Sequence, residues 1–159
     1  MKPCSKFISL AVCILLFTLM LSGCKSESAP SPSELSKKII SDNNLTELNS
    51  LSGDKLESYF GFKNSDIKRF SVMISNYSDK GDTVAVFEVT SNEKKSLVIS
   101  GISKYASNLL SSMKSVETEY KKVSSRLIME LDHLVILIIC SEPDPIEQQL
   151  LAMGAKAVY

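Results

Sequence analysis

Few residues in this chain have the type and spacing for covalent or acid–base chemistry. His133 is the only histidine, and with Cys140 it forms the one pair that could suggest a thiol catalyst. Both fall on one predicted strand, seven positions apart, so their side chains point to opposite faces and lie too far apart for proton transfer. A turn histidine and a buried thiol fit the pattern better. A reactive thiolate needs an electropositive, partly exposed setting, and the apolar run before Cys140 offers none. Glu142, Asp144 and Glu147 bring together oxygen ligands of the kind a hard cation takes. Their spacing is not that of a calcium loop, and a helix start accounts for Asp144 and Glu147. Zinc-ligand spacing, a phosphate-binding glycine loop and a Gly-x-Ser-x-Gly elbow do not occur. The sequence therefore assigns no catalytic, cofactor-binding or metal-binding residue and leads us to expect no cofactor. Carboxylates paired from distant positions stay open as a route to catalysis.

Cys24 carries a more specific signal. Met1–Phe7 contains Lys2 and Lys6 and no acid, Ile8–Leu21 is almost entirely apolar, and Leu21-Ser22-Gly23-Cys24 follows. Positive start, apolar middle and small residues at the end are the parts of a secretory signal. As a helix the apolar run would be roughly 21 Å long, short of the about 30 Å of a bilayer core. Leu-Ser-Gly-Cys resembles the bacterial lipobox. That resemblance implies diacylglyceryl transfer to the Cys24 thiol and cleavage before it. Residues 1–23 then form a lipoprotein signal peptide, 24–31 a polar, Ser- and Pro-containing flexible tether, and 32–159 a single domain. Two acyl chains anchor a protein stably where one does so marginally. Cys4 and Cys13 would leave with the leader and Cys24 would be acylated. Cys140 would then be alone, with no intramolecular disulfide to form.

With 44% apolar and 23% charged residues the chain has ordinary globular composition. Its formal net charge is zero, and without Lys2 and Lys6 the rest is slightly acidic. Such a balance lacks the electrostatic footprint of nucleic-acid binding. A polybasic run of the kind that reads as anionic-lipid recognition is also missing.

Local patterns place the elements. Ser31-Pro32-Ser33-Glu34 predicts a capped helix over 32–42. Asp54–Glu57 begins a short helix packed through Leu56, Tyr59 and Phe60 and closed by Gly61. Phe70, Val72 and Ile74 alternate with polar positions as a half-buried strand, and Thr83–Val89 forms a second strand after a turn. Thr90–Glu93 opens a long helix over 92–117, whose stripe of Val98, Ile102, Tyr105, Leu109, Met113 and Val116 reads as its core side. Ser124–Glu130 and His133–Cys140 form a second strand pair, and the unbroken Leu134–Ile139 run suggests burial on both faces. Asp144 caps a final helix with Pro145 at its first position; Ile146, Leu150 and Met153 face inward, and Gly154 ends it. The expected fold is α+β, a small antiparallel sheet of about four strands with helices packed on one face.

Leu56-Glu57-Ser58-Tyr59-Phe60-Gly61-Phe62, Asp66-Ile67, the strand Val84–Val89, the Glu119-Tyr120 pair after the long helix and Leu134–Ser141 occur in that order. In these features the chain resembles a bacterial lipoprotein family known as a domain of unknown function (number 4358), common in low-GC Gram-positive bacteria. The resemblance covers roughly residues 32–153 and departs at Asp132-His133, where a glycine is expected. It implies no activity and transfers no catalytic residue.

Two functional expectations follow. The first is a non-catalytic binding or assembly module, lipid-anchored through Cys24 at the extracytoplasmic face of the cell membrane and contacting another envelope protein. The second is an envelope enzyme with unrecognised carboxylate catalysts.

Overall fold

The computed structural model describes residues 29–158. The predicted signal peptide, Cys24 and most of the predicted tether lie outside the described residues. The Ser31 capping box forms as the sequence predicts. Ser31 Oγ accepts the Glu34 amide at 3.3 Å, and the Glu34 carboxylate accepts the Ser31 amide at 2.9 Å. Two free donors of the first turn are thereby satisfied, and helix α1 runs from Pro32 to Asp42. After β1 (Leu48–Ser50) and a 3-10 turn comes α2 (Leu56–Phe60). Gly61 ends α2 with φ of 77°, a left-handed conformation that costs glycine little.

β2 (Arg69–Ser75) and β3 (Thr83–Glu88) follow, then α3 (Asn92–Ser112), α4 (Glu117–Ser124), β4 (Leu127–Leu131), β5 (Leu134–Ile139), α5 (Asp144–Ala152) and β6 (Lys156–Ala157). All strands pair antiparallel in one sheet of order β1-β2-β3-β5-β4-β6. The α+β class and antiparallel sheet match expectation, but the strands number six rather than about four. The additional β1 and β6 are edge strands of three and two residues, too short to show alternation.

The helices occupy both faces of the sheet, not one. Strand residues alternate between faces, and the register sets Val72, Ala85 and Leu137 in one row. That row packs against Leu56 and Phe60 of α2, Val98 and Ile102 of α3 and Val123 of α4. Val84, Val86, Ile136 and Ile138 face the other way, onto Leu35 and Ile39 of α1 and Ile146 and Leu150 of α5. β3 and β5 are consequently buried along their whole length, as the unbroken apolar run of β5 requires.

Three expected boundaries move. The long helix stops at Met113, whose side chain is buried, and Val116 leaves the stripe to become 37% exposed. The chain redirects there into α4, which reaches back to the β2–β3 turn. Pro143, not Asp144, precedes the first turn of α5, so Asp144 is a helical residue rather than its cap. Met153, at the end of that helix, is exposed.

Candidate functional site

Three polar constellations are built on this frame. The first joins α4 to the β2–β3 turn. Lys122 Nζ donates to Asp82 Oδ2 and to Glu119 Oε1, both at 2.8 Å, and the other Glu119 oxygen accepts the Gly81 amide at 2.9 Å. Lys122 is 9% exposed and Glu119 12%. Burial pushes the Glu119 carboxyl up, but the hydrogen bonds from Lys122 and Gly81 outweigh it and hold the group below its ordinary value. Burial likewise pulls the Lys122 amine down, and the two carboxylates more than restore it. Two carboxylates do meet here from distant positions. They converge on an ammonium, however, and a depressed carboxyl is ill suited to act as a general acid near neutral pH.

The second constellation centres on Glu88 at the end of β3. Its oxygens accept from Lys68 Nζ at 2.7 Å and Arg69 Nε at 2.5 Å. The hydrogen bonds from Arg69 and then Lys68 lower its pKa against the opposing effect of burial. The carboxylate is 10% exposed, whereas both basic side chains are more than half exposed.

The third is an open groove of about 400 Å³ between α2 and α3, lined by Ser58, Tyr59, Tyr105, Asn108, Leu109 and Ser112. None of these six carries a formal charge. The Tyr59 and Tyr105 rings lie 6.3 Å apart, and Tyr105 packs on Phe60 at 4.7 Å. Tyr105 anchors its hydroxyl 3.1 Å from Thr83 Oγ1; burial pushes its pKa up, the Thr83 hydrogen bond working against it. Tyr59 presents an exposed ring. Aromatic faces beside an amide and hydroxyls suit contact with a partner rather than bond cleavage.

The residues singled out by sequence are not brought together. His133 and Cys140 flank opposite ends of β5, and Cys140 is buried in the α1–α5 face of the core. Burial raises its pKa, which disfavours the thiolate. Among the described residues, Glu142, Asp144 and Glu147 form no group able to hold a metal ion. Conversely, the Asp82–Glu119–Lys122 cluster has no short spacing to reveal it. The helical stripe hid Tyr105 among core residues, and Tyr59 precedes the fully buried Phe60.

A family model described as "Domain of unknown function (DUF4358)" matches residues 41–140. The chain belongs to this family. No curated protein and no solved structure matches the chain. The DUF4358 span runs from the end of α1 to Cys140, so it contains the groove, the Lys122 cluster and the Glu88 cluster. Most of α1 and all of α5 and β6, which complete the second core face, lie outside it.

Proposed function

We propose that this DUF4358 chain is a lipoprotein, anchored at the extracytoplasmic face of the cell membrane by lipid on Cys24, and that it serves as a non-catalytic binding or assembly module for another envelope protein. The anchoring part is supported by the order of Lys2 and Lys6, the apolar Ile8–Leu21 run and Leu21-Ser22-Gly23-Cys24. The binding part rests on one observation: the groove presents exposed Tyr59 beside Asn108 and two serines without any charge. The clustered carboxylates are meanwhile tied to lysine and arginine.

Crosslinked affinity capture from cell envelopes tests this reading with wild type, Cys24→Ala and Tyr59→Ala. A discrete protein partner captured by wild type, lost with Cys24→Ala and weakened by Tyr59→Ala, is the expected result. In parallel, an alkyne-bearing fatty acid should label wild type and not Cys24→Ala. Absence of any reproducible partner would turn attention to a small ligand or to carboxylate catalysis.

A further inference from the structure

The chain enters the fold at one end of the sheet. Ala29 packs against the α1–α5 core face. Just beyond it, Ser31, Pro32 and Ser33 border a cleft of about 340 Å³ with Asn64, Lys68, Arg69 and Phe70. This is the end where β2 begins and β3 finishes, since Arg69 pairs with Glu88 in the register. The β2–β3 turn, with Tyr77 and the Lys122 cluster, lies at the opposite end, roughly 20 Å away for a strand of this length at about 3.3 Å per residue.

Charge at the entry end is arranged by depth. Glu88 is nearly buried while Lys68 and Arg69, both bonded to it, are 57% and 56% exposed. One carboxylate thus faces two cations, with the cations outermost. Arg69 commits its Nε to Glu88, and its terminal nitrogens have no acceptor among the described residues. Lys63, next to Asn64, is 66% exposed and only loosely paired with Glu57 at 3.9 Å. The nearby carboxylates of Glu34 and Asp66 are occupied, by the Ser31 amide and hydroxyl and by Lys94 and the Lys63 amide.

The chain between Cys24 and Ala29 spans at most about 17 Å at ~3.4 Å per residue. A domain of this size has a radius of gyration of about 14 Å, so such a tether cannot bring the Tyr77 end to the bilayer as readily as the Ser31 end. Resting on the lipid attachment proposed above, we propose that the Lys68–Arg69 cleft docks on anionic phospholipid headgroups, so that the domain stands with the start of α1 toward the bilayer and the Tyr77 turn away from it. Guanidinium and ammonium groups are matched to headgroup phosphates, and the leaflet's negative potential favours them. Tethering raises the effective concentration to about millimolar, so a contact too weak for free protein becomes occupied.

The test couples the chain beginning at Cys24, which retains every residue of the fold, to a maleimide lipid in nanodiscs. Buried Cys140 is shielded from the reagent, so coupling is directed to Cys24. Nanodiscs of phosphatidylcholine, with or without phosphatidylglycerol, carry a gadolinium headgroup lipid, and amide broadening is read by NMR. With phosphatidylglycerol, the amides of Ser33, Asn64 and Lys68 should broaden more than about threefold over those of Ser78 and Gly81. Lys68→Glu with Arg69→Glu should erase the difference. Because that variant also disturbs Glu88, wild type in high salt, where exposed charges are screened, should erase it independently. Equal broadening at both ends, or the same pattern without phosphatidylglycerol, would overturn the docking. Failure of Cys24 to take up lipid in cells, with docking intact on the coupled chain, would overturn the anchoring reading alone.

Discussion

Gly101 of α3 passes so close to Phe60 of α2 that a Cβ at position 101 would lie 2.3 Å from the Phe60 carbonyl oxygen. It would also lie 2.7 Å from the Phe62 ring. The missing side chain is what lets α3 settle against the α2 corner, and with it the Tyr59–Tyr105 groove.

Gly101→Ala should therefore destabilise the protein. Alanine favours a helix interior by about 1 kcal/mol over glycine, but a contact against backbone forces the helices apart. Overpacking of this kind costs about 1–3 kcal/mol, so a net loss is expected in urea unfolding. Capture of the envelope partner should weaken as well.

Lys122→Met should lower stability by about 3 kcal/mol, the scale for removing one partner from a buried ion pair. Asp82 and Glu119 would be left facing each other without their shared cation. The Glu119 carboxyl, freed from that hydrogen bond, should titrate at higher pH, which carbon-detected NMR would show directly. An unshifted Glu119 would mean that the Gly81 amide alone holds it down.

Acid should unfold the wild type partly through Glu88. Its pKa in the fold is below the ordinary 4.5, so its contribution is fully present above that value. The contribution is lost as pH falls through the folded value. Glu88→Gln should be less stable at neutral pH by about 1 kcal/mol, the upper range for exposed partners. Its loss of stability on acidification should be shallower than that of wild type in thermal melts across pH 3–6.

Ser36 is buried on α1 with an oxygen that has no hydrogen-bond partner. Ser36→Ala should raise stability by about 1 kcal/mol, because an unsatisfied buried hydroxyl carries a desolvation cost. A melting temperature below wild type would contradict this.

Asp132 closes the β4–β5 hairpin with φ of 52°, in the left-handed region that glycine adopts freely and aspartate tolerates. Asp132→Gly should leave stability nearly unchanged, and Asp132→Ala should cost about 1 kcal/mol. The resemblance to DUF4358 led to the expectation of a glycine at this turn, and the backbone conformation gives the reason.

Elements with strong local signals were readable from sequence. Ser31 and Glu34 announce α1, Gly61 ends α2, and Leu134–Ile139 announces a strand covered on both sides. That last run also implied helices on both faces, but assigning α1 and α5 to the second face requires knowing the strand order. The break between α3 and α4 has no glycine or proline to mark it. It is set by long-range contacts, Glu119 reaching Gly81 and Lys122 reaching Asp82. The groove was hidden for a related reason: Tyr105 keeps the helical period of a core residue, and its exposed neighbour Tyr59 comes from another helix.

The sheet ends on one side in β6, two residues long and carrying Lys156. Behind it lies β4, Leu127-Ile128-Met129-Glu130-Leu131, whose outer hydrogen-bonding groups β6 partly covers at Met129 and Glu130. An apolar strand with an open rim is a template for pairing with other chains, and short, charged outer strands blunt that hazard. The last residues of the chain thus act as a guard against self-association. A version cut after Gly154 would uncover β4 and be expected to aggregate on concentration, even with most of its core intact.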